Sequence, residues 1–207
     1  VDYSQIPAFC VNLAARADRW SQAQIEFARI AYPVTRWFAA HYAQSPYPGL
    51  STGAAGCLDS HKALWRHCLN ENLDMIAVFE DDVVFSSDFA AVFPLAAAEL
   101  PEDWDVWHLH SSKVPQSGAG KYLVRARNKL WGTHGYLIRR RGCERALALP
   151  DDVPADYRLS EYLDQRGGQV YATRQEHALA FQQGDDSDIP RTAQLEFWRE
   201  QRQRFCR

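Results

Sequence analysis

Residues 75–85 read Met-Ile-Ala-Val-Phe-Glu-Asp-Asp-Val-Val-Phe. A short apolar run stops on three consecutive carboxylates, and a second apolar run follows directly. Residues 75–79 are predicted as a buried strand because the run is short, apolar and bounded. A fold that buries this strand must place Glu80, Asp81 and Asp82 at its carboxyl end, where like charges repel. In an α/β sheet that edge is where ligands bind. A divalent cation that prefers oxygen ligands, Mg²⁺ or Mn²⁺, is one way to neutralise the triplet. An acidic turn facing water is the alternative.

The rest of the chain alternates between strand-like and helix-like stretches. Strands are expected at 7–13, 34–40, 105–109, 121–127, 135–139 and 168–173. Helices are expected at 18–30, 54–70, 89–100 with Asp88 as its cap, 142–149 and 156–165. Pro and Gly mark 46–53 as a loop. Residues 111–120 and 182–188 read as polar loops. This order argues for an α/β fold, a mostly parallel sheet flanked by helices. A single domain is expected over 1–190, with a polar, helical tail at 191–207.

Hydrophobic residues make up 46% of the chain, which excludes a disordered protein. No apolar run is long enough to cross a bilayer, and no signal-peptide pattern stands at the amino terminus. The cysteines at 10, 57, 68, 143 and 206 are odd in number and lack metal-site spacing. They are read as free thiols, so the expected compartment is the reducing cytoplasm. Residues 121–145 hold eight basic side chains and one acidic one, an anion-attracting stretch or simply a solvated face.

Several constellations could carry chemistry. Arg16 and Arg19 follow Asn12 and Leu13 where a strand gives way to a helix, a place suited to phosphate oxygens. An ordinary solvated arginine pair is the competing reading. Gly53 and Gly56 open a helix and permit close backbone approach, with Ser60 and His61 one turn further on. His61 could be a catalytic base, though a hydrogen-bonded structural role is the default. In the stretch from Trp131 to Tyr136, glycines flank His134 and aromatics sit at both ends. Aromatic faces stack on sugar rings or bases, but they also fill cores, and packing is at least as good a reading of Tyr136. Asp156, after Pro154, is a lone carboxylate at a helix start, where capping is the ordinary role.

In order, the pieces are Val11-Asn12-Leu13 with Arg16 and Arg19; Gly56-Cys57 with Ser60-His61 and Trp65; Glu80-Asp81-Asp82-Val83; Gly135-Tyr136-Leu137-Ile138; Pro154 with Asp156; and Ser187-Asp188-Ile189. Together they resemble glycosyltransferase family 25, which includes lipooligosaccharide and collagen galactosyltransferases. Ala55 stands where members often carry Glu.

The resemblance implies a GT-A-type nucleotide-sugar-binding fold, Mn²⁺ (or Mg²⁺), UDP-galactose or UDP-glucose, and inversion at the anomeric carbon. It implies that Asn12, Leu13 and Arg16 border the nucleotide, with Arg19 and Ser60 also assigned to the donor side. It implies that Asp82 binds metal, that Glu80 or Asp81 holds ribose or metal, and that Asp156 is the general base. Trp131 and His134 are the acceptor-side candidates.

The expected function is therefore a metal-dependent, inverting hexosyltransferase acting on an oligosaccharide acceptor, as in bacterial lipopolysaccharide biosynthesis. Two rivals stand beside it. Arg125, Arg127, Lys129, Arg139, Arg140 and Arg141 allow an anionic acceptor, including a hydroxylated base in DNA. A catalytically silent binding module could also keep the fold.

Overall fold

The structure is a computed structural model that describes residues 2–110, 117–127, 130–151 and 153–182. The expected tail, most of the 182–188 loop, Lys129, Cys206 and the Ser187-Asp188-Ile189 motif lie outside the described residues.

The chain begins with β1 (Ala8–Asn12), α1 (Ala17–Arg29), β2 (Thr35–Phe38) and α2 (Thr52–Asn70). It continues through β3 (Met75–Glu80), β4 (Val83–Phe85), α3 (Phe89–Ala97), β5 (Val106–His108), β6 (Ser117–Gly118), β7 (Leu123–Arg125), β8 (Gly135–Arg139) and α4 (Arg140–Leu147). Then come α5 (Ala155–Tyr157), a π-helical turn (Arg158–Tyr162), α6 (Leu163–Gln165), β9 (Val170–Thr173) and β10 (Ala180–Gln182).

The main sheet has the order β2-β1-β3-β8-β5-β9-β7-β6. β1, β2, β3, β5, β6 and β9 run one way, and β7 and β8 run against them. The expected mostly parallel sheet is present, with β8 inserted antiparallel between β3 and β5. β4 and β10 form a separate antiparallel pair that the sequence did not suggest.

β3 shows why the apolar run is continuous. Ile76 and Val78 enter the core on the face covered by α2 and α4, and Ala77 and Phe79 enter the core on the face covered by α1 and α3. Side chains alternate across a strand, so a strand buried on both faces needs no polar position. The run ends where the sheet edge opens.

The helix α2 starts two residues earlier than expected, because Ser51 caps it by accepting from the Ala54 amide at 3.2 Å. Gly56 explains how close it lies to the end of β2: a Cβ there would sit 2.5 Å from the Ala40 carbonyl oxygen. Asp88 does occupy the N-cap position of α3, but its side chain makes no capping bond. The expected helix over 156–165 exists with a π turn inside it. The fully buried Arg158 lies in that turn and donates to the carbonyls of Ala146 and Leu149 at the end of α4. Its guanidinium satisfies carbonyls that a helix end leaves open.

Candidate functional site

The carboxyl ends of β1 and β3 lie side by side, with Val11 paired to Glu80. They border a cavity of about 480 Å³, within the range of small-molecule sites. The acidic triplet forms one wall. The loop from Ala39 to Tyr42 and the start of α2 form another, and Trp131, Gly132, Thr133 and Asp156 a third.

Asn12 is the hub of the first wall and is almost fully buried. Its amide nitrogen donates to the Arg16 carbonyl at 2.9 Å and to Asp81 Oδ2 at 2.5 Å. Its amide oxygen accepts from Arg36 Nε at 2.9 Å. Arg19 Nη1 reaches Asp81 Oδ1 at 3.1 Å. Asp81 is thereby held on both oxygens. Burial raises its pKa, and the Asn12 hydrogen bond and Arg19 charge oppose that rise.

Asp82 has a different setting. Oδ2 accepts from Gln182 Nε2 at 2.9 Å, whereas buried Oδ1 has no hydrogen-bond partner among the described residues. Burial, then the neighbouring Glu80 charge, push its pKa up to about 7. An unpartnered buried carboxylate oxygen on a cavity wall, among oxygen donors, fits a hard divalent cation.

Glu80 is the most elaborately held of the three. Its Oε1 faces the Thr133 hydroxyl, His61 Nε2 at 3.3 Å and the Cys57 thiol at 3.7 Å. Burial works to raise its pKa, but the His61 hydrogen bond and charge and the Thr133 hydroxyl hold it below the usual carboxylate range. His61 is fully buried and its Nδ1 lies 2.7 Å from the Tyr136 hydroxyl, which also accepts from Trp65 Nε1. His61 is hydrogen-bonded, as its default structural reading expects, and its Nε2 also reaches a carboxylate of the cavity.

The third wall turns on Gly132, whose φ of +84° is one that L side chains rarely adopt. The turn leaves Trp131 48% exposed at the rim and aims Thr133 inward. His110 Nε2 bonds the Trp131 carbonyl at 2.9 Å, and the His110 ring stacks on His134 at 3.7 Å. Asp156 Oδ2 accepts from the Gly132 amide at 3.4 Å, and Oδ1 lies 2.8 Å from the Tyr157 amide.

Asn12, Leu13, Arg19, Glu80, Asp81, Asp82, Trp131 and Asp156 therefore line one cavity. Three candidates stand off it. Arg16 is the N-cap of α1 rather than part of its face, and pairs with Asp18 at 3.1 Å. Ser60 is buried behind the wall, donating to the Gly56 carbonyl at 2.6 Å and accepting from the Ala40 amide at 2.9 Å. His134 is buried under Gly132, and its ring supports the loop. Sequence reasoning missed Thr133 and Cys57. Thr133 sat in a motif read for its aromatics, and Cys57 in one read for its glycines.

Part of the basic stretch is engaged within the chain. Arg125 pairs with Asp164 at 2.8 Å, Arg141 with Asp105 at 2.6 Å, and Arg139 donates to the Glu102 carbonyl. Three of the six basic residues offered for a DNA acceptor are thus engaged within the chain, and nothing in the structure adds support for that acceptor.

A family model described as glycosyltransferase family 25 (LPS biosynthesis protein) matches residues 36–159. The chain belongs to glycosyltransferase family 25. The match spans the start of α2, the acidic triplet and Asp156, whereas Asn12, Leu13, Arg19 and Gln182 of the cavity lie outside it. A lacto-N-neotetraose biosynthesis glycosyltransferase of Neisseria meningitidis serogroup B is 33% identical over 144 residues, covering 59% of this chain and 52% of that protein. The human inactive glycosyltransferase 25 family member 3 is 30% identical over 141 residues, covering 62% of this chain and 24% of that protein. The chain thus spans about half the length, or less, of these family 25 relatives. A glycosyltransferase involved in glycosylation of the major capsid of PBCV-1 superposes with a TM-score of 0.50 at 8% identity, covering 94% of this chain and 98% of that one. That likeness concerns the fold, which is GT-A-type. No helix among the described residues is long and apolar enough to cross a membrane.

Proposed function

We propose that this chain is an inverting, divalent-metal-dependent hexosyltransferase that uses a UDP-linked galactose or glucose. The observation that carries the reading is the buried, unpartnered Oδ1 of Asp82 on the wall of a cavity that also presents Asp156. Asp82, with Asp81 beside it, would hold Mn²⁺ or Mg²⁺. When bound, such an ion neutralises charge on the diphosphate leaving group.

The chain's own residues do the rest. Asn12 and Leu13 form the floor beneath the nucleotide, and Arg19, already oriented by Asp81, adds positive charge toward the diphosphate. Asp156 accepts the proton of the acceptor hydroxyl as that oxygen attacks the anomeric carbon from the face opposite the leaving group, which inverts the configuration. The Gly132 amide orients its carboxylate. Trp131 at the rim offers an apolar face to an acceptor sugar ring. An oligosaccharide acceptor, as in bacterial surface glycan synthesis, is consistent with the name of the Neisseria relative.

The test is incubation with a panel of nucleotide sugars with and without Mn²⁺, measuring released nucleotide, which needs no acceptor. Metal-dependent release from one UDP-hexose is expected, and its loss in Asp82→Ala. Absence of release from every donor, together with metal-dependent thermal stabilisation by UDP, would favour the silent module that the inactive human relative exemplifies.

A further inference from the structure

Three ligand-type atoms converge on the floor of the cavity: Cys57 Sγ, His61 Nε2 and Glu80 Oε1, all within 4.8 Å of one another. We infer that these three side chains form a zinc site, separate from the all-oxygen pair Asp81–Asp82.

Two of the three ligand-to-ligand edges match those of a tetrahedral ion, and the third, from Cys57 Sγ to His61 Nε2, is within 4.8 Å. Legs of about 2.0–2.3 Å to nitrogen, oxygen and sulfur give ligand-to-ligand edges of roughly 3.4–3.6 Å. The observed edges are 3.3 Å from His61 Nε2 to Glu80 Oε1 and 3.7 Å from Cys57 Sγ to Glu80 Oε1. Cys57 and His61 are one helical turn apart on α2, so one rigid element sets both. Glu80 comes from the end of β3 across from them. Cys57 and Glu80 line the cavity, which gives an ion a way in and leaves a fourth position for water.

The second layer is also built. Tyr136 contacts His61 Nδ1 at 2.7 Å and fixes the ring with Nε2 toward Glu80. Binding takes the place of the contacts that the thiol and the imidazole make to Glu80. The thiol proton leaves to solvent, and the neutral imidazole binds through Nε2 with its one proton on Nδ1, facing the Tyr136 oxygen. Thiolate, imidazole and carboxylate together select zinc over manganese or magnesium. One cavity then carries two cation sites of different softness. On the hexosyltransferase reading, zinc at the floor narrows the donor cavity and slows manganese-supported transfer.

Cobalt is the probe, because its tetrahedral thiolate complexes absorb in the near ultraviolet and visible. The metal-free full chain titrated with Co²⁺ is expected to develop a thiolate-to-cobalt band that saturates at one equivalent and is displaced by Zn²⁺. Cys57→Ser should abolish the band, Glu80→Gln should weaken Co²⁺ affinity at least about tenfold, and Asp82→Asn should leave it in place. No band in the unaltered chain, a band that survives in Cys57→Ser, or one lost in Asp82→Asn overturns the site. The readout needs no turnover. A cobalt band without donor hydrolysis would overturn the transferase reading alone, and hydrolysis without a band would overturn the zinc site alone.

Discussion

Gln182 donates its side-chain amide to Asp82 Oδ2 at 2.9 Å across a hundred positions of sequence. The contact exists because β10 pairs with β4, setting Gln182 opposite Val83. It fixes one oxygen of Asp82 and leaves the other facing the cavity wall without a partner among the described residues.

Gln182→Ala is therefore expected to weaken apparent Mn²⁺ affinity by about 10–100-fold, the usual effect of removing a group that orients a metal ligand. The measurement is the Mn²⁺ dependence of donor hydrolysis. At saturating Mn²⁺ the rate should recover most of the way. An unchanged Mn²⁺ midpoint would remove the orienting role.

Asp156→Asn should reduce transfer to an acceptor by roughly 10²–10⁴-fold while leaving UDP binding near its original strength. The asparagine can still accept from the Gly132 amide but cannot take a proton at neutral pH. Parallel assays of transfer and of UDP-induced thermal shift separate the two effects. Full transfer activity would exclude Asp156 as the base.

Stability should fall as the solution is acidified below about pH 6.5. Burial holds the His108 and His134 pKa values down to about 3 and that of His110 to about 4. Folded values below the unfolded one mean that the unfolded chain binds more protons. The stabilisation is complete above the unfolded pKa and is lost as pH falls toward the folded values. Each histidine is expected to account for on the order of 1–2 kcal/mol between pH 7 and pH 5. Urea unfolding at the two pH values checks the sign, and His108→Gln should flatten the slope by one histidine's share.

Gly56→Ala should destabilise the fold by about 1–3 kcal/mol, because the new Cβ meets a backbone oxygen that cannot rotate away. A urea midpoint equal to that of the unaltered chain would show that α2 can shift outward.

The part of the site carried by β3 was legible because two signals coincided: an apolar run of strand length and three carboxylates at its end. The flanking motifs named the other walls, and Asn12, Arg19 and Asp156 do meet the triplet in one cavity. Ser60, His134 and Arg16 were harder, since sequence proximity to a motif does not say which way a side chain points. Ser60 faces back toward Gly56, and His134 stacks under the loop it belongs to. The β4–β10 pair was invisible because two three-residue strands far apart carry no periodicity of their own. Arg158 went unread because a cationic residue is ordinarily placed at the surface. Here open carbonyls at the end of α4 stabilise its burial.

The pairing of β10 with β4 also has a meaning in time. Chains emerge amino-end first. β1, β3 and the acidic triplet can assemble long before Gln182 is made, so during synthesis Asp82 waits with neither oxygen tethered by that amide. The acidic wall is thus the last described part of the cavity to be completed, and a chain stopped short of residue 180 would keep its carboxylates yet lack the strand that aims one of them.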